Sequence, residues 1–192
     1  MPSAPEFSPQ IDELLPQAWQ AGVSRWQELE GIAELFEVGL AALKGGKRTR
    51  ARLAYTGWKA ITAGNDTPPK PVLDLGVALE IYQASALVHD DIIDNSPLRR
   101  GKDAAHISFA KRHLAEQRRG DHQEYGRLAA ILLGDLLLAV ADQCAFEVAA
   151  TANDPDAFFA NWTEMTREVA AGQYLDCLLY TSPSPRDATL SR

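Results

Sequence analysis

Cysteine is scarce in this sequence, and the two cysteines present form no recognisable pattern. Cys144 and Cys177 lie far apart and match neither a zinc-ligand spacing nor a disulfide framework. Disulfides are typical of oxidising compartments, so the sequence predicts a cytoplasmic protein. Cys144 is expected to be a small residue of the core.

Basic residues and long apolar runs are also in short supply. Lys and Arg number 19 against 26 Asp and Glu, and the resulting net charge of -7 disfavours nucleic acid or an anionic membrane as the main partner. Residues 1–10 have neither the basic start nor the apolar run that a targeting segment needs. The longest apolar stretch, 128–140, is interrupted by Gly134 and Asp135, so stable membrane insertion is not expected.

Strand-like alternation is absent, and helical periodicity takes its place. Apolar residues recur every three or four positions through six segments, which are 11–43, 47–63, 72–95, 104–119, 127–150 and 158–176. The first of these is expected to hold two helices. Apolar positions in this pattern include Leu15, Trp19, Val23 and Trp26, then Leu53, Trp58 and Ile61. The predicted fold class is therefore all-α.

The greatest concentration of charge in an apolar setting lies in residues 87–101, LVHDDIIDNSPLRRG. Carboxylates and guanidinium groups are costly in such a setting unless a ligand or metal satisfies them. In a helix, Asp90 and Asp94 stand one turn apart on one face, and their oxygens are suitable ligands for Mg2+. Arg99 and Arg100 then face an anion such as a phosphate. A solvated helix end is the alternative, and the apolar residues 84–88 argue against it.

A second basic group, Gly45-Gly46-Lys47-Arg48-Thr49-Arg50, precedes the acidic segment. The two glycines allow the backbone to approach a ligand closely. Lys47 and Arg50 are three positions apart and are predicted to share one face of the helix that starts there. The GGKR sequence alone is typical of a surface turn, but its order before HDDIID and RRG is more specific.

Together these motifs resemble the trans-prenyl diphosphate synthases of the polyprenyl synthetase family, in which GGKRxR, DDxxD with RRG, and GQxxD follow in order. The resemblance spans residues 25–176 and includes GQYLD at 172–176. It implies an isoprenoid-synthase-type helical bundle, here its N-terminal half, that forms a homodimer when full length. It also implies an Mg2+-dependent prenyltransferase that condenses isopentenyl diphosphate with an allylic diphosphate. Ala51 departs from the family, which usually has proline there.

The resemblance assigns roles to individual residues. Isopentenyl diphosphate is expected to bind to Lys47, Arg50, Gln83 and Arg100. Arg99 is expected to hold the allylic diphosphate, with Asp90 and Asp94 bridging it through Mg2+. Asp91 belongs to the same acidic cluster, so the expected catalytic set is Asp90, Asp91, Asp94 and Arg99.

Product length depends, in this family, on bulky residues four or five positions before the first aspartate. Those positions are Ala86 and Ser85, which are too small to block a growing chain. Tyr82 follows one turn lower, and together with His89 these residues form a stripe beside the metal face. Geranylgeranyl diphosphate is therefore the expected product.

The end of the chain breaks the helical pattern. Residues 177–192 resemble the translated read-through of a sequencing adaptor and are expected to be non-native, which leaves 1–176 as part of a synthase domain. No second DDxxD follows Asp94, so the chain is expected to be a truncated, inactive fragment. The alternative is a non-catalytic binding fragment or a partner subunit of a prenyl synthase.

The histidines suggest a further enzyme class. A phosphohydrolase that uses His89 and Asp90 would need other metal-ligating histidines. His106 and His113 are instead expected to lie on a helix surface. Asp135 is expected to be a hydrogen-bonded structural acid.

Overall fold

The structure is a computed structural model that describes residues 4–62 and 67–181. The described chain is almost entirely helical, which confirms the all-α class. The helices are α1 (Ala4–Val23), α2 (Ala33–Ala42), α3 (Thr49–Ile61), α4 (Lys70–Ile93), α5 (Ala105–Ala115), α6 (His122–Ala149) and α7 (Pro155–Thr181). A 3-10 turn covers Ser24–Trp26. The chain forms two compact units, 1–151 and 152–192.

Some helices begin or end at other residues than the apolar periodicity predicted. Helix α6 starts five residues before the predicted Arg127, because the Asp121 side chain accepts a hydrogen bond from the Glu124 N–H at 2.7 Å. Helix α7 continues beyond Asp176 to Thr181, so the helical pattern does not break where it was expected to. The rest of the segment predicted to be non-native, residues 182–192, lies outside the described residues.

A short hairpin that the sequence did not predict connects α4 to α5. Strands β1 (Leu98–Arg99) and β2 (Lys102–Asp103) pair antiparallel. Arg100 and Gly101 between them both have positive φ, 54° and 75°, as a two-residue hairpin turn requires. Arg99 reaches back to the end of α4, while Arg100 reaches the loop before α3.

Helices α4 and α6 form the centre of the first unit. Their contact buries Ala78, Ile81, Leu133 and Leu137 completely. By length and composition alone, both helices could cross a membrane. Half of the apolar stretch of α4 is buried inside the structure. Helix α5 packs along α6, and α3 packs along α4.

The inward face of α1 follows the predicted spacing. Every fourth residue is buried, namely Phe7, Ile11, Leu15, Trp19 and Val23. Trp26 breaks the prediction, since it lies in the 3-10 turn and is exposed. The inward face of α3 also differs, because Leu53 and Ile61 are exposed while Ala51 and Tyr55 are buried. Ala51 is buried where α3 approaches Gly76 of α4 closely.

The two histidines of α5 are buried, which corrects the prediction that they lie on the surface. His113 Nε2 lies 3.2 Å from the Arg119 carbonyl oxygen, and its ring lies 4.7 Å from the Tyr125 ring at an angle of 37°. Neither ring nitrogen of His106 has a hydrogen-bond partner among the described residues. Burial lowers the pKa of His106, an effect that the Asp91 carboxylate partly opposes. The helix turns these imidazoles inward, while Lys111 on the same helix remains exposed.

Candidate active site

The acidic cluster lies at the last turn of α4 and is joined by Arg99 of the hairpin. Arg99 Nε donates to Asp91 Oδ1 at 2.9 Å, and Arg99 Nη2 donates to both Asp91 and Asp90, the latter at 3.0 Å. These hydrogen bonds raise the pKa of Arg99. Asp91 is 2% exposed, and its pairing with Arg99 offsets the cost of burying that carboxylate. Asp91 thereby fixes the Arg99 side chain.

Asp90 and Asp94 differ from Asp91 in their access to solvent. Asp90 is half-buried and Asp94, at the C-cap of α4, is exposed. Within the described residues, no group of three or more His, Cys, Asp or Glu is placed to hold a metal ion. Mg2+ is commonly bound by one or two carboxylates together with water and substrate phosphates. The all-oxygen pair of Asp90 and Asp94 fits this mode of binding, with the remaining ligands supplied by a diphosphate.

Arg100 connects the hairpin to the glycine-rich loop before α3. Its Nη1 donates to the carbonyl oxygens of Lys44 at 2.9 Å and Gly45 at 2.7 Å. A Cβ at Gly46 would lie 2.8 Å from Arg100 Nη2, and the φ of +101° is strained for a residue with a side chain, so this position favours glycine. Desolvation and the neighbouring Arg48 cation lower the pKa of Arg100. The glycines therefore accommodate a guanidinium of the chain itself.

Lys47 and Arg50 are both exposed at the start of α3. The helix begins at Thr49, so Lys47 precedes it, and the prediction that both residues lie on one helix face is wrong for Lys47. The intervening Arg48 is buried in a left-handed conformation with a φ of 50°. Its Nε donates to Asp12 Oδ1 at 2.7 Å and its Nη2 to the Leu43 carbonyl at 2.8 Å. Arg48 thus fixes the direction in which the loop presents its exposed cations.

Gln83, the predicted diphosphate ligand on α4, is half-buried one turn after a buried acid, Glu80. Glu80 Oε1 accepts hydrogen bonds from the Arg50 and Ala51 N–H groups at 3.1 and 3.2 Å. Proline has no N–H, so the departure at Ala51 supplies one of these donors. The sequence prediction missed Glu80 and Arg48. The available signal was a lone carboxylate within the apolar stretch 75–82.

A cavity of about 480 Å³ lies beside these groups. Its polar wall contains Asp91, Arg99, Arg100 and the Gly45-Gly46 backbone. Its α4 wall is formed by Ala84, Leu87 and Val88. The arrangement combines fixed cations with an apolar wall, which suits an anionic group attached to a hydrocarbon.

The predicted product-length residues do not line this cavity. Ser85 is buried, and its hydroxyl donates to the Gly134 carbonyl of α6 at 2.8 Å. Tyr82 is buried, and burial followed by the Asp142 charge raises its pKa. Ala86 is half-buried. The roles of these three residues in product length stay predictions.

His89 and Asp135 meet at the same contact between helices. His89 Nε2 lies 3.3 Å from the Ile131 carbonyl oxygen and 3.5 Å from Asp135 Oδ1. Asp135 is mostly exposed, so water weakens the attraction between these two side chains. The contact places the residue before Asp90 against α6.

Comparison with known proteins agrees with the motifs. The family model for polyprenyl synthetases matches residues 33–191. A probable farnesyl diphosphate synthase of Bradyrhizobium diazoefficiens is 35% identical over an alignment of 185 positions that covers 86% of this chain and 48% of that protein. Geranylgeranyl pyrophosphate synthase 12 of Arabidopsis thaliana is 30% identical over an alignment of 162 positions that covers 81% of this chain and 39% of that protein. The chain thus spans about half the length, or less, of these relatives.

The fold agrees as well. A crystal structure of geranylgeranyl pyrophosphate synthase from Corynebacterium glutamicum, complexed with isoprenyl diphosphate and magnesium, superposes with a TM-score of 0.71 at 28% sequence identity. The match covers 90% of this chain and 50% of the solved chain. The motif order, the helical fold and a family match over most of the sequence agree, and the chain belongs to the polyprenyl synthetase family.

Proposed function

We propose that this chain handles the two diphosphates of a prenyltransferase that joins isopentenyl diphosphate to an allylic diphosphate. The supporting observation is the pairing of Arg99 with Asp90 and Asp91 next to the loop held by Arg100. This arrangement concentrates cations and carboxylates at the edge of an apolar cavity. Such a cavity suits a diphosphate that carries a hydrocarbon tail.

Isopentenyl diphosphate is proposed to bind at the α3 start. Lys47 and Arg50 are exposed there, and Arg100 lies against the same loop. Gln83 adds a hydrogen-bonding group from α4. Arginine binds phosphate oxygens in a fixed, two-pronged geometry, whereas lysine acts as a point charge. We expect this set to orient the diphosphate and the double bond attached to it.

The allylic diphosphate is proposed to bind at the opposite end of the cluster, beside Arg99. Asp90 and Asp94 would hold Mg2+, which when bound stabilises the negative charge of a departing diphosphate. Arg99 stabilises the same charge and is kept in place by the buried Asp91. The allylic carbon–oxygen bond breaks with its electron pair leaving on the diphosphate. The double bond of isopentenyl diphosphate then attacks the allylic carbon, and a proton is lost to the released diphosphate.

Geranylgeranyl diphosphate is proposed as the product. By the family resemblance, position 86 limits the product, and Ala86 carries only a methyl group there. The relatives include proteins named as farnesyl and as geranylgeranyl synthases. A cytoplasmic location is also proposed, on the cysteine pattern. A homodimer for the longer protein is proposed from the family resemblance.

A second candidate function is binding of the substrates without turnover. It would need only the exposed cations Lys47 and Arg50 together with Arg100, which lies against the same loop. Both candidates predict that the purified chain binds isopentenyl diphosphate in a calorimeter. They differ in an assay with radiolabelled isopentenyl diphosphate, an allylic diphosphate and Mg2+.

The assay decides between the two candidates. We expect binding and no labelled prenyl product from the 192-residue chain alone. We expect product when residues 1–176 are joined to the C-terminal part of the Bradyrhizobium relative. Product from the chain alone would overturn binding without turnover, and absence of any diphosphate binding would overturn both candidates.

A further inference from the structure

We propose that Glu80 is a positioning residue for the diphosphate site, because its carboxylate occupies the anion position at the N-terminus of α3. By holding that helix end, Glu80 sets the placement of Lys47 and Arg50 relative to Gln83 on α4. This inference rests on the proposed function, since it concerns the same diphosphate site. It assigns no contact between Glu80 and the substrate.

The Glu80 carboxylate is hydrogen-bonded to the first turn of α3. Oε1 accepts from the N–H groups of Arg50 at 3.1 Å and Ala51 at 3.2 Å, the second and third residues of α3. The first N–H groups of a helix have no partner within the helix and attract negative charge. A carboxylate of the chain therefore occupies the place that a phosphate takes in other helix N-termini.

The burial of Glu80 shows that this contact is specific. The residue is 7% exposed, and a buried carboxylate is costly unless charges and donors surround it. Arg48 Nη1 lies 3.7 Å from Glu80 Oε2 and is itself buried. Arg48 is in turn fixed by Asp12 of α1 and by the Leu43 carbonyl. The buried pair thus joins α1, the glycine-rich loop, α3 and α4.

Glu80 determines which groups at the start of α3 can bind a diphosphate. The Arg50 and Ala51 N–H groups are already bonded to Glu80, so a diphosphate here would contact side chains. Lys47 and Arg50 lie on either side of Arg48, which pairs with Glu80. Gln83 lies one helical turn after Glu80. A shift of the helix end away from Glu80 would separate the cations from Gln83. Glu80 therefore acts through geometry, although its charge alone opposes anion binding.

Three variants separate geometry from charge. Glu80→Gln removes the charge and keeps an acceptor of the same reach. Glu80→Asp keeps the charge and withdraws the acceptor by about 1.5 Å. Glu80→Ala removes both. The probe is inorganic pyrophosphate, whose affinity is measured by calorimetry, and amide hydrogen exchange at Arg50 and Ala51 reports the helix end directly.

We expect Glu80→Ala and Glu80→Asp to weaken pyrophosphate binding by about 5-fold or more and to accelerate exchange at both amides, as loss of a helix cap would. Glu80→Gln should retain affinity within about 2-fold and keep both amides protected. Exchange in α6 should be unchanged in all three, which separates local loosening from unfolding. Glu28→Gln, an exposed change of the same chemistry between α1 and α2, controls for net charge.

Other outcomes overturn the inference. Tighter binding in both Glu80→Gln and Glu80→Ala would show that Glu80 acts only as an opposing charge. Faster exchange with unchanged affinity would show a purely structural role. If the parent chain binds no pyrophosphate, the proposed function fails and this inference with it, while slower exchange in the parent than in Glu80→Ala would still show that Glu80 holds α3. If Glu80→Ala does not fold, the comparison of Asp with Gln decides alone.

Discussion

Gly134 of α6 lies directly against His89 of α4, so closely that a Cβ at position 134 would come within 2.2 Å of His89 Nε2. Ser85, one turn earlier, donates its hydroxyl hydrogen to the Gly134 carbonyl. The absence of a side chain at Gly134 therefore allows α6 to support the turn of α4 that leads to Asp90. This close approach couples the packing of the first unit to the placement of its acidic cluster.

Replacing Gly134 with alanine tests this coupling. The added methyl group must displace the His89 ring, and overpacking of this kind lowers the free energy of unfolding by about 1 to 3 kcal/mol. Gly57→Ala is the matched control, because nothing lies within 4 Å of its added Cβ. Alanine has the higher helix propensity, so the control should gain up to about 1 kcal/mol. Urea unfolding measures both, and equal effects would contradict the contact.

The acids and the basic loop are proposed to bind different substrates, so their substitution should affect different kinetic constants in an active form of the protein. Asp90→Ala or Asp94→Ala should lower kcat by at least ~100-fold, the scale of losing a transition-state charge contact. Lys47→Ala should instead raise the KM for isopentenyl diphosphate. Asp74→Ala, on the same helix but paired with Lys70, serves as the control. A similar change in kcat for Lys47→Ala and Asp90→Ala would refute the assignment.

Product length provides a further test, made at Ala86 because the Ser85 hydroxyl contacts the α6 backbone. A phenylalanine at Ser85 would meet the α6 backbone and is expected to destabilise the protein. Ala86→Phe, four positions before Asp90, should shorten the product of an active form from geranylgeranyl to farnesyl diphosphate. Tyr82→Ala should lengthen it beyond geranylgeranyl, because Tyr82 lies one turn further from the acids. Chromatography of the products measures this, and unchanged chain length in both variants would place the barrier on another helix.

The buried imidazole of His106 predicts a pH-dependent stability. Burial lowers its pKa below 6.5, so the unfolded chain binds this proton more readily than the folded chain. The contribution of neutral His106 to stability is complete above the pKa that the residue has in the unfolded chain. It is lost as the pH falls towards the lower pKa of His106 in the folded chain. Urea unfolding at pH 7.5 and 5.5 should show a larger loss for the parent than for His106→Leu. An equal loss in both would argue against a neutral buried His106.

The sequence alone predicted the features that depend on short repeats and on the order of motifs. The α1 residues spaced every four positions all became buried, because a single helix face decides that pattern. The same local geometry predicted Asp90 and Asp94 one turn apart at the end of α4. Motif order predicted the family. Each of these follows from residues that are close in sequence or from a linear signature.

Tertiary structure decided the features in which a residue's role depends on a distant partner. The small residues at Ala51 and Ser85 are buried because Gly76 and Gly134 let neighbouring helices approach, and periodicity favours large apolar residues instead. Glu80 has its role only because the start of α3 lies against the middle of α4. Such contacts join residues about 30 to 50 positions apart, and their energy depends on burial that only the packed helices create.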